Sequence, residues 1–64
     1  MGKLKTHTVR YGDTLASIAR AYYGDETFDD YIFDHNKTVI QNPNVLYPGQ
    51  VIVIPHIPAL KWLG

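Results

Sequence analysis

Five carboxylates crowd one stretch of the chain, Asp25, Glu26, Asp29, Asp30 and Asp34. Two acids facing each other across a cleft could cleave a glycosidic bond, and several together could hold a cation. Asp30 and Asp34 are four apart and would share a helix face. The run has neither the alternating acidic spacing nor the central glycine of a calcium loop, so it reads as solvated charge. His7, His35 and His56 show no i, i+4 pairing, and the chain has no cysteine to complete a zinc site. A nucleophile, its base and an orienting group would need a concave site that 64 residues have little room to build. No catalytic residue, metal or cofactor is therefore expected.

The remaining chemistry lies in two short loops. His7 to Ala19 (HTVRYGDTLASIA) reads as strand, loop and helix, and Asn44 to Pro55 (NVLYPGQVIVIP) reads as loop, turn and strand. If the two terminal strands pair, the loops come side by side at one edge of the molecule. Function is to be sought there.

The elements that must position those loops follow from periodicity. The spacing predicts a strand over His7 to Arg10, with His7 and Val9 facing inward, ended by Gly12-Asp13. Asp13 or Thr14 then caps a helix whose Leu15, Ile18, Ala19 and Tyr22 recur at i, i+3, i+4 and i+7. Gly24 stops it, because glycine adopts the left-handed conformation at a helix end, and Asp25 or Thr27 caps the next helix. In that second helix Phe28, Tyr31, Ile32 and His35 repeat the same spacing, with Asp29 and Asp30 in the first turn where negative charge suits the dipole. Its end is expected near Asn36-Lys37. Val39-Ile40 offers one apolar anchor in an irregular connection, Asn42-Pro43 breaks any helix, and Pro48-Gly49 suits a type II turn. Val51 to Ile54 is a β-branched strand closed by Pro55.

The order is thus β, α, α, β, an α+β domain with a two-stranded antiparallel sheet and both helices packed on one face. Ile52 and Ile54 would join Val9, Leu15, Ile18, Ile32 and Ile40 in the core, leaving Thr8, Arg10, Val51 and Val53 on the opposite face. Residues 1–6 are expected to flank the domain, 7–55 to form it, and 56–64 to be an apolar tail or linker stub. That tail (HIPALKWLG) either folds back over Val51 and Val53 or docks on another chain.

A single small domain without disulfides must draw its stability from its apolar residues, which make up 45% of this chain. The formal net charge is zero, so there is no basic field to neutralise phosphates, and nucleic acid is not an expected partner. No apolar run is long enough to span a bilayer, and the start lacks the layout of a secretory signal.

Two blocks in this order, V-x-x-G-D-T-L-x-x-I-A from Val9 to Ala19 and Y-P-G-Q-x-I-x-I-P from Tyr47 to Pro55, with Asn36 between them, resemble the LysM family. The resemblance covers His7 to Pro55 and implies the βααβ LysM fold. It also implies a non-catalytic carbohydrate-binding module that takes N-acetylglucosamine-containing glycans, peptidoglycan or chitin, in a shallow groove. Carried over residue by residue, one wall is Gly12, Asp13, Thr14 and Leu15, and the other is Pro43, Asn44, Val45, Leu46 and Tyr47. An N-acetyl group presents an N–H, a carbonyl and a methyl, which ask for backbone donors and acceptors beside a small apolar notch. Leu15, Leu46 or Tyr47 could cover the apolar face of a sugar ring. Each residue also has a purely structural use: Gly12 and Pro43 to turn the chain, Asp13 and Thr14 to cap a helix, and Leu15 to fill the core.

The inter-helix region YYGDETF is longer than in short wall-binding members, His7 stands where tyrosine is frequent, and Tyr11 precedes the glycine. This longer form is similar to LysM domains of a cytoplasmic potassium-binding protein and of phage tails. The alternative role it implies is a structural interaction module or a cytoplasmic ion-responsive protein, with other protein domains contacted through the C-terminal tail. An excised domain would belong to the cell wall or the extracellular space. A whole chain of this sequence would be cytoplasmic or virion-associated.

Overall fold

The computed structural model describes residues 5–57. Strand β1 (Lys5–Thr8) is followed by helix α1 (Leu15–Tyr23), a 3₁₀ turn at Glu26–Phe28, helix α2 (Asp29–Asp34) and strand β2 (Val51–Ile54). The two strands form an antiparallel sheet in the register Lys5 to Ile54, Thr6 to Val53, His7 to Ile52 and Thr8 to Val51. This is the βααβ arrangement that the periodicity predicts.

Its first strand, however, lies two residues earlier than the expected His7 to Arg10. Two loop bonds end the ladder. The Arg10 N–H donates to the Asp13 carboxylate at 2.9 Å, and the Arg10 carbonyl accepts from the Asp13 N–H at 3.0 Å. Val9 still bonds across to the other segment, donating to the Gln50 carbonyl and accepting from the Gly49 N–H, both at 2.8 Å. The first loop and the Tyr47 to Gln50 turn are thereby tied together at the sheet's end. In that turn the Gln50 N–H reaches the Tyr47 carbonyl at 3.1 Å, and Gly49 has φ of 94°, as position three of a type II turn requires.

Thr14, not Asp13, caps α1. Its hydroxyl accepts from the Ser17 N–H while the Ser17 hydroxyl accepts from the Thr14 N–H, each at 3.0 Å, a reciprocal capping box. At the other end Gly24 sits at φ of 75° and donates to the Arg20 carbonyl, the left-handed cap expected of it. Asp25 opens the 3₁₀ turn by accepting from the Thr27 N–H at 2.9 Å.

The core joins Val9, Leu15, Ile18, Ala19, Ile32, Ile40, Ile52 and Ile54, with Tyr23, Phe28, Phe33 and Leu46 packed around it. Every residue expected in the core is buried. Tyr22, placed by its spacing on the apolar stripe of α1, is instead exposed. A phenol needs a hydrogen-bond partner, and it finds His7 at the sheet margin at 2.8 Å. The second helix is also shorter than the spacing suggests: its first turn is 3₁₀, and it ends at Asp34 with an exposed His35 as cap. Asn36 ends it there. Its side chain leaves the helix axis to bond the β2 backbone.

Beyond β2 the chain runs along the helices. The Tyr23 hydroxyl donates to the Pro55 carbonyl, the Tyr31 hydroxyl donates to the His56 carbonyl at 2.7 Å, and Ile57 is buried. Burial pushes the Tyr23 phenol up to about 12, with the neighbouring Tyr31 adding to the shift. The tail 56–64, expected to fold over Val51 and Val53, is described only through Ile57, where His56 instead meets Tyr31 of α2; residues 58–64 lie outside the described residues. Among the described residues no helix is long and apolar enough to cross a membrane.

Candidate functional site

Strand pairing brings the two loops together, and between them lies an open groove of ≈260 Å³. One wall is Asp13, Thr14, Leu15 and Ala16; the other is Pro43, Asn44 and Leu46, with Asp29 and Asp30 at the start of α2 between them. Six of the nine residues singled out from sequence, Asp13, Thr14, Leu15, Pro43, Asn44 and Leu46, therefore converge. Gly12 does not line the groove; at φ of 92° it turns the chain into the wall. Val45 and Tyr47 face a separate depression of ≈370 Å³ with Val39, Gln41, Asn42 and Gln50. Tyr47 is 63% exposed, as an aromatic in such a loop should be, but it lies on the far flank of the second loop from Asp13. The cause is the alternation of side chains along 44–47, which turns Asn44 and Leu46 to one flank and Val45 and Tyr47 to the other.

Local hydrogen bonds shape both walls. The second loop is a turn closed by the Val45 N–H on the Asn42 carbonyl at 2.9 Å, and the Asn42 side chain accepts from the Asn44 N–H at 2.9 Å. Gln50 braces its far end, accepting from the Tyr47 N–H at 2.9 Å and donating to the Val39 carbonyl at 3.1 Å. In the first wall the capping box uses the Ser17 N–H, and Ile18 donates to the Thr14 carbonyl at 2.9 Å. The N–H groups of Leu15 and Ala16, first in the helix, have no acceptor among the described residues. They are free donors at the groove.

Asp13 is held differently. Its Oδ2 accepts from the Arg10 N–H and from His7 Nε2, both at 2.9 Å. The His7 hydrogen bond, the Arg10 N–H and the nearby positive charge hold its carboxyl below the ordinary aspartate value of 3.8. A depressed folded value means that Asp13 stabilises the fold above the ordinary carboxylate range and that this contribution is lost as pH falls through the folded value. Carboxyl-detected NMR should show Asp13 titrating below the ordinary aspartate value of 3.8, and Asp13→Asn should flatten the acid limb of a stability-against-pH curve. A titration in the ordinary range would refute the clasp.

The groove residues missed from sequence are Ala16, Asp29 and Asp30. Ala16 was legible as the next first-turn residue after Leu15. Asp29 and Asp30 were visible only as charge, and nothing local placed them beside Pro43. Lining the groove with Asp13, Asp29 and Asp30 and no basic side chain makes it electronegative although the chain is formally neutral. Among the described residues no group of three His, Cys, Asp or Glu side chains could hold a metal ion.

Comparison with known proteins agrees with this architecture. The family model described as the LysM domain matches residues 7–55. The potassium binding protein Kbp of Escherichia coli O6:H1 is 43% identical over 49 residues, which are 77% of this chain and 33% of that protein. An uncharacterized protein of Deinococcus radiodurans is also 43% identical over 49 residues, 77% of this chain and 19% of its own length. The chain thus spans a third or less of these relatives. With both sequence blocks, the strand pairing and the family match in agreement, the chain belongs to the LysM family of non-catalytic binding modules.

Proposed function

We propose that this domain binds N-acetylglucosamine-containing glycans, peptidoglycan or chitin, in the groove between the Asp13 to Ala16 wall and the Pro43 to Leu46 loop. The observation that carries this reading is the meeting of free backbone donors with an apolar notch. The Leu15 and Ala16 N–H groups suit an acetyl carbonyl, Pro43 and Leu46 suit a methyl or the face of a sugar ring, and the Asn44 amide supplies both a donor and an acceptor. Membership of a family whose general role is to bind such glycans supports it.

A groove this open makes few contacts, so one domain should bind with a Kd between about micromolar and millimolar, roughly 4 to 8 kcal/mol. Strong attachment would come from longer glycans or from several domains acting at high effective concentration. Titration with a chitin oligomer should shift the amides of Asp13, Thr14, Leu15, Ala16, Asn44 and Leu46 in a ¹H–¹⁵N NMR spectrum. The amides of Val45 and Tyr47, which face the separate depression, should move less. No response at millimolar oligomer would rule this reading out.

A second reading, an ion-responsive or interaction module, is favoured by the 43% identity to a protein named for potassium binding. Exchanging sodium for potassium chloride at constant ionic strength in the same spectrum separates the two. Potassium-specific shifts without a glycan response would favour the second.

A further inference from the structure

We propose that His7 is a positioning residue that sets the first wall of the groove, holding Asp13 so that its Oδ1 is kept for a hydrogen bond donated by the ligand. This rests on the glycan reading of the groove and adds a charged acceptor on its first wall.

Three elements meet at the His7 ring. His7 stands on β1 opposite Ile52, its Nε2 lies 2.9 Å from Asp13 Oδ2 in the first loop, and its Nδ1 lies 2.8 Å from the Tyr22 hydroxyl on α1. Tyr22 packs edge-on against the imidazole with ring centres 5.4 Å apart. The other charged groups around this cluster are Lys5, whose ammonium lies 5.7 Å from the centre of the Tyr22 ring, and Arg10, whose positive charge acts on Asp13. An ionised carboxylate can only accept, so Nε2 must carry a proton, and in the neutral ring Nδ1 then accepts from Tyr22. The tautomer is fixed by the two partners.

The consequence falls on Asp13. Both protein bonds to its carboxylate end on Oδ2, and Oδ1 has no partner among the described residues, although Asp13 lines the groove. A carboxylate so clasped has its second oxygen unpaired, on a residue that lines the groove together with Leu15 and Ala16. An acetamido substituent supplies the matching groups, its carbonyl for the Leu15 and Ala16 N–H groups and its N–H for Oδ1, and a neighbouring sugar hydroxyl is a further donor. Without His7 the carboxylate would keep only the Arg10 N–H and could rotate away.

The test uses the domain with His7→Phe, which removes both nitrogens, and His7→Gln, whose amide can restore the donor to Asp13. Long-range ¹H–¹⁵N correlation on the wild type should show the Nε2–H tautomer. His7→Phe should weaken binding of a chitin oligomer roughly tenfold, the scale of one hydrogen bond to a charged group, with other amide shifts concentrated near the ring and in residues 10–16. His7→Gln should recover most of the loss. An Nδ1–H tautomer, or wild-type affinity in a folded His7→Phe variant, would overturn the inference while leaving the groove reading intact. If His7→Phe does not fold, wild-type affinity in Asp13→Ala overturns it equally. Absence of binding by the wild type at millimolar oligomer sinks the groove reading and this inference together.

Discussion

Replacing Asn36 with alanine should cost about 3 kcal/mol or more, most of the stability that a domain of this size possesses. Asn36 is 3% exposed, the one buried polar side chain among the described residues. Its Nδ2 donates to the Ile32 and Val53 carbonyls, and its Oδ1 accepts from the Val53 N–H, each at 2.8 Å. The side chain thus pairs with Val53 as a third strand would, closing the edge of β2 that faces away from β1. Alanine would leave three backbone groups without their partner, and each buried orphan costs about 1 to 3 kcal/mol. The urea midpoint should fall steeply, and binding in the groove should vanish with the fold. Asn36→Asp keeps an acceptor but loses both donors and sets a charge against two carbonyls, so it should be no more stable at neutral pH. A wild-type midpoint for Asn36→Ala would mean that solvent already satisfies this edge.

The second large effect is expected at Ile32. It is 0% exposed and sits where α2 meets the cluster formed by Val9, Ile18, Ile52 and their neighbours. Truncation to alanine removes transfer energy and leaves a cavity that a small domain can only partly collapse, together about 3 to 4 kcal/mol. Ile32→Val removes one methylene and should cost about 1 kcal/mol. Denaturant unfolding of the two variants against wild type should give that graded order with an unchanged slope. Equal losses, or none for alanine, would show that α2 is held by something other than this packing. Both variants bear on function because the groove walls are loops, and loops hold their shape only through the elements beneath them.

The core was legible because 3.6-residue and two-residue periodicities survive in a short chain: Leu15, Ile18, Ala19 and Ile32 on the helices, Ile52 and Ile54 on the strand. Helix ends were legible where chemistry is local, as at Thr14 and Gly24. Tyr22 and His35 satisfied the same spacing and yet are exposed, because periodicity records direction around a helix but not how far the partner surface extends. Asn36 was noticed as part of the pattern, but its partner is seventeen residues away, and no local signal announces such a bond.

For the groove, sequence determined the two loops, their turn chemistry and the free donors of the first helical turn, since each depends on residues within a few positions of one another. Tertiary structure decided which faces of those loops meet. It joined Asn44 and Leu46 to Asp13, sent Val45 and Tyr47 to the far flank, and brought Asp29 and Asp30 into the wall. The physical reason is that backbone preference acts over a turn or two, whereas the facing of two loops is set by strand register and helix packing, which exist only once distant residues have paired.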